Sequence, residues 1–144
     1  MKKSYAIIFL ILIILVGFIY VNFKKIEQKK HEVAKFNLTY EEYNKDNLNG
    51  LDITTVINKA VNNNEKYEIK KDKDGLYISD DENSIKIYIT MIINGKTYPM
   101  EQINSLGISS FIEYFGDVNF KCTNIKYHSK TGKVSEMIFE ATEY

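Results

Sequence analysis

The sequence predicts an α+β fold: an N-terminal transmembrane helix, then a small domain with a mostly antiparallel five- or six-stranded sheet and two helices on one face. Three observations carry this expectation. Residues 4–23, SYAIIFLILIILVGFIYVNF, hold no charge. The segment LDITTVINKAVNNN spaces its apolar residues as a helix does, and the chain after it alternates around Asp-Gly, Asn-Gly and Thr-Gly turns.

The apolar segment comes first. Its twenty residues, at about 1.5 Å each, would span about 30 Å, the thickness of a bilayer's hydrocarbon core. A cleaved export signal needs small residues at its cut site, and Phe18 to Phe23 are large. The glutamate of a type IV pilin leader is also missing, since Asn22 stands at its position after Gly17. A retained signal-anchor in residues 1–23, single-pass in the cytoplasmic membrane, is therefore expected. Lysine counts on the two flanks lean weakly toward a domain inside, whereas the short basic start is that of a signal-anchor. The outer face is the expected side.

Residues 24–50 read as a juxtamembrane stalk or linker, with Ile26, Val33, Phe36, Tyr40 and Tyr43 in heptad-like spacing. The globular domain is expected over 51–144. Ile53, Val56, Ile57, Ala60 and Val61 form the buried stripe of a helix that Asp52 can cap. Asp74-Gly75 is expected to join strands 67–71 and 76–79, and Asn94-Gly95 to join 85–93 and 96–100. A two-residue turn at Asn94-Gly95 pairs Ile93 with Lys96 and Met91 with Tyr98, and Pro99 marks 96–100 as a short or edge strand. Residues 107–116 read as one short helix. Strands near 118–127 and 133–141 close the chain. A two-residue turn between them gathers Phe120, Cys122, Met137, Phe139 and Ala141 on one face; a three-residue turn pairs Lys126 with Glu136 instead. The first is the expected register.

Charge narrows the partners. Residues 1–30 carry six Lys and one Glu, while residues 31–144 carry thirteen Lys and eighteen acidic residues. The folded part is mildly acidic, which speaks against nucleic acid. Every basic residue is Lys, so no guanidinium can clamp a carboxylate or phosphate. The AT-rich codon bias behind this composition describes a genome more than a function.

No catalytic, cofactor or metal site is expected. Asp72-Lys73-Asp74-Gly75 resembles part of a calcium loop, but Lys70 falls at the first ligand position. Cys122 and His128 lie six residues apart on one strand, about 20 Å, too far for a thiol and its base. Cys122 is the only cysteine, so no disulfide forms within the chain. The candidate partner or glycan surface is aromatic, with Tyr77, Tyr98 and Tyr127 as its residues.

The elements GLDITTVINKAVNNN, DGLYISDDENSIKIYI, NGKTYPMEQINSLG and FKCTNIKYHSKTGKVSEMIFE resemble a set of uncharacterised, short, single-pass membrane-anchored proteins of clostridia and related low-GC Gram-positive bacteria. The resemblance spans most of residues 36–144. It implies a membrane-anchored bacterial domain, and no activity or catalytic residue. The expected function is a membrane-tethered, non-enzymatic extracytoplasmic interaction or accessory module. Its expected partners are the cytoplasmic membrane, through residues 4–23, and an envelope protein. A cell-wall polymer-binding domain is the alternative, and a carboxylate-dependent hydrolase a third reading.

Overall fold

A computed structural model describes residues 2–143, without the side chains of residues 2–8, 10 and 143. The chain divides into two compact units, the first ending at Lys35 and the second beginning at Phe36. Helix α1 (Lys2–Glu41) supplies the described residues of the first unit and opens the second.

In the first unit α1 is apolar on every side between Ile11 and Val16 and between Phe18 and Val21, each of these side chains being more than half exposed. The expectation of a membrane span is corrected here. Among the described residues no helix is long and apolar enough to cross a membrane. Helix α1 continues through Lys24, Lys25, Lys29 and Lys30. The earlier part of the expected span, residues 4–8 and 10, has side chains outside the described residues. The signal-anchor, the single-pass placement in the cytoplasmic membrane and the outer-face orientation are corrected on the same finding.

The second unit is α+β. It contains α2 (Gly50–Lys66), β1 (Lys86–Thr90), β2 (Thr97–Pro99), α3 (Met100–Leu106), α4 (Ile108–Phe115), β3 (Asn119–Tyr127) and β4 (Val134–Glu143). The expected five- or six-stranded, mostly antiparallel sheet is corrected to a mixed sheet of four strands in the order β2-β1-β4-β3. β1 and β4 run parallel, pairing Ile87 with Met137 and Ile89 with Phe139. The chain leaves β1 through β2, passes through α3 and α4, and returns by β3. That long crossover is what a parallel pair demands. Ile87, Ile89, Met137, Phe139 and Ala141 drive one face of the sheet into the core, against Ile53, Val56 and Ile57 of α2.

The two strands expected around Asp74-Gly75 are not part of the sheet; a single bridge joins Lys71 and Tyr77. Several of their backbone groups find partners outside the sheet: the Asp72 N–H donates to the Leu76 carbonyl and the Ile78 N–H to the Lys70 carbonyl, both at 2.8 Å. The Asp72 carboxylate accepts from the N–H groups of Asp74 and Leu76 at 2.9 and 3.0 Å, and Glu101 accepts from the Tyr77 N–H at 2.8 Å.

The Asn94-Gly95 hairpin forms with a different register. Ile89 pairs with Tyr98 and Thr90 with Thr97, while the Met91 N–H donates to the Lys96 carbonyl. The loop is therefore Ile92 to Gly95 rather than two residues. Pairing slips by two positions, which leaves every side chain on its intended face. Pro99 ends the edge strand and Met100 starts α3, a helix additional to the two expected; Gly107, at φ +89°, separates it from α4.

Next to their hairpin β3 and β4 pair Tyr127 with Val134; a register shift between Lys126 and Tyr127 then sets Lys126 opposite Glu136, the pairing of the three-residue-turn register. A bulge between Cys122 and Asn124 then shifts the pairing, so that Cys122 faces Phe139 and Phe120 faces Ala141. The bulge lets the strand keep its ion pair at one end and its buried face at the other. At the start of α2 the cap is Asn49, whose side chain accepts from the Asp52 N–H while Asp52 accepts from the Asn49 N–H. Asp52 is thus the second half of a capping box.

Candidate functional site

The second unit has a cleft of about 460 Å³ between the β1–β2 hairpin and the α3–α4 pair. Its size is that of a small ligand pocket. Met91, Ile103, Phe111 and Phe115 form its apolar bed, and Ile93 and Leu106 stand on the rim at 71% and 72% exposure. The polar lining is Asn94, Tyr98, Gln102 and Ser105. None of these carries a charge.

Each wall is fixed by local chemistry. The hairpin tip is closed by three bonds: the Thr90 and Thr97 hydroxyls meet at 2.9 Å, Asn94 Nδ2 donates to the Tyr98 hydroxyl at 2.9 Å, and the Lys96 N–H donates to Asn94 Oδ1 at 2.9 Å. Tyr98 accepts from Asn94 and so keeps its own O–H to donate. Opposite, Gly107 turns the chain between α3 and α4 and brings Leu106 and Phe111 to one opening. α4 is held from behind by Gly50, where a Cβ would lie 2.3 Å from the Phe115 carbonyl oxygen.

A second, smaller concavity of about 250 Å³ lies on the other side of α3, beside Lys71, Asp74, Tyr77 and Glu101. Gln102 and Ser105 line both. Tyr77 is 3% exposed; its hydroxyl is buried without a hydrogen-bond partner, and Lys71 Nζ sits 4.5 Å from its ring centre.

The structure therefore separates the three tyrosines singled out in the sequence. Tyr77 is buried beside the smaller concavity. Tyr98 lines the cleft on edge strand β2. Tyr127 ends β3 on the opposite edge of the sheet, its hydroxyl donating to Glu41 at 2.8 Å. Burial, then the Glu41 carboxylate, push that hydroxyl's pKa up. The three do not share a surface. Phe111 falls in the helix expected over residues 107–116, whereas Gln102 and Ile103 lie on α3, which no expected element covers.

Cys122 and His128 have separate partners. Burial raises the Cys122 pKa, and its Sγ points to the Asn124 carbonyl at 3.5 Å. His128 is buried with Nε2 2.8 Å from the Ser84 carbonyl. Among the described residues, no three acidic, His or Cys side chains gather as metal ligands would. Asp80 is enclosed by hydrogen bonds. One oxygen accepts from the N–H groups of Glu82, Asn83 and Ser84 at 3.0, 2.7 and 2.7 Å. Burial alone would raise its pKa, but these donors and the Ser84 hydroxyl hold it below the usual carboxylate value. It is a loop staple.

No family model matches this chain, no curated protein is similar to it, and no solved structure matches it.

Proposed function

We infer that the second unit is a non-enzymatic interaction module that receives a protein partner in the cleft between the β1–β2 hairpin and the α3–α4 pair. One observation carries the reading: the cleft is apolar, lined by neutral polar groups and rimmed by exposed Ile93 and Leu106. Such a surface gains by excluding water. It offers no side chain that takes or gives a proton near neutral pH. The acidic charge of residues 31–144 supports a protein partner over nucleic acid. Tyr77, Tyr98 and Tyr127 give little support to a glycan platform, because they stand apart.

The test is a paired screen on the purified full chain. Turnover is followed on peptide, ester, phosphoester and glycoside substrates, and occupancy of the cleft is followed by methyl NMR with phenol and isopropanol. The reading expects no turnover and shifts at Met91, Ile93 and Ile103. Turnover that disappears in Gln102→Ala would contradict it, as would shifts that avoid the cleft.

A further inference from the structure

Beside the cleft, the edge of the sheet has a defined hydrogen-bonding pattern. Met91 N–H donates to the Lys96 carbonyl, and the same register pairs Ile89 with Tyr98. In an antiparallel ladder, hydrogen-bonded and non-hydrogen-bonded pairs alternate. The Lys96 carbonyl and the Tyr98 backbone groups thus turn toward β1, while Thr97 and Pro99 turn theirs outward. β2 is the edge strand, so the N–H and C=O of Thr97 and the C=O of Pro99 face away from the sheet. Pro99 has no N–H to offer, which stops further pairing after one residue.

Two kinds of polar group line the cleft, a donor proton on the Tyr98 hydroxyl and the Gln102 side-chain amide, which both donates and accepts; the outward backbone groups of Thr97 lie next to Tyr98 on the edge strand. They complement successive peptide groups. A small hydrocarbon would use none of them. It would also leave the outer faces of Ile93 and Leu106 in water. A charged segment would have to give up its hydration against a lining that holds no counter-charge.

We propose that the cleft takes a short, extended, uncharged peptide segment of a partner protein, which pairs with Thr97 at the β2 edge, hydrogen-bonds Tyr98 and Gln102, and inserts an apolar side chain between Ile103 and Phe111. This rests on the interaction-module reading above and specifies its partner. Pairing is confined to one edge residue, so side-chain burial carries the affinity and the edge sets the register.

The test is an amide and methyl NMR titration of the labelled full chain with three compounds: a capped valine-phenylalanine-valine tripeptide amide, a capped aspartate-phenylalanine-aspartate tripeptide amide, and toluene. The neutral tripeptide is expected to shift the Thr97 amide, the Gln102 side-chain amide and the Ile103 methyls together. The charged tripeptide is expected to bind at least tenfold more weakly, and toluene to shift the methyls without the Thr97 amide. Tyr98→Phe and Gln102→Ala, each checked for unchanged thermal unfolding, should weaken the neutral tripeptide by about three- to tenfold. Toluene shifts with none from the neutral tripeptide would overturn the peptide proposal and leave the cleft as a binding site. Equal binding of the two tripeptides would overturn its neutrality. Silence from all three compounds would overturn both readings.

Discussion

The side chain of Asn64 pairs with the backbone of Ile85 as a neighbouring strand would. Its Nδ2 donates to the Ile85 carbonyl at 2.8 Å and its Oδ1 accepts from the Ile85 N–H at 2.8 Å, with both residues fully buried. α2 thereby fixes the point at which the chain enters β1. The preceding residues are held as well: Asn63 donates to the Asn83 carbonyl at 2.7 Å, His128 meets Ser84, and Lys130 pairs with Glu82. Helix, loop and hairpin meet there.

Asn64→Ala is expected to cost about 2–4 kcal/mol, because it leaves a buried N–H and a buried C=O without partners. Urea unfolding measures it. A loss under about 1 kcal/mol would mean that water or a rearranged loop replaces both bonds.

Gly50→Ala should be destabilising by about 1–3 kcal/mol. The added Cβ would meet the Phe115 carbonyl oxygen at 2.3 Å and the Gly116 Cα at 2.8 Å, and backbone cannot swing aside. Phe115 belongs to the cleft, so its ring resonances should move in the same variant. Thermal unfolding and aromatic NMR check the two effects separately.

Tyr77→Phe goes the other way. The buried hydroxyl has no partner, so its removal is expected to leave stability unchanged or raise it by about 1 kcal/mol. A loss of stability on chemical denaturation would show that the hydroxyl is bonded in solution.

Asp80 sets a dependence on acid. Its folded-state pKa lies below the ordinary value of 3.8. A depressed carboxylate pKa stabilises the fold fully above the unfolded value, and the contribution fades as pH falls toward the folded value. The stability gap between the wild type and Asp80→Asn should therefore be constant above about pH 5 and narrow below about pH 4. Urea midpoints across that range test it; a gap that widens in acid would reverse the assignment.

The sequence carried the local elements better than their assembly. Helix α2 was legible because five apolar residues share one stripe, and the β1 face because Ile85, Ile87, Ile89 and Met91 alternate. Register was less legible. The Asn94-Gly95 dipeptide marks the turn, but the four-residue loop is chosen by Met91–Lys96 bonding and by Met100 starting α3. The parallel pairing of β1 with β4 joins residues 50 apart, as in Lys86 with Glu136, and no spacing within either strand encodes it. The apolar N-terminal run reads as a membrane span because it is uncharged, whereas among the described residues no helix is long and apolar enough to cross a membrane.

The cleft was hidden for a related reason. Met91 and Ile103 read as ordinary core positions, and only the hairpin's height over α3 leaves a gap above them. The tyrosines drew attention by residue type, yet Tyr77 is in the core and Tyr127 is at the far edge. Tyr98 alone of the three lines the cleft, and its hydrogen bond from Asn94 is a consequence of the loop that the sequence misjudged.

The most direct test of the cleft as the binding site is a crystal structure of the full chain soaked with phenol. The account predicts phenol density over Ile103 and Phe111, within reach of Tyr98 or Gln102. A cleft filled by the chain's own hairpin tip, with phenol bound elsewhere, would contradict it.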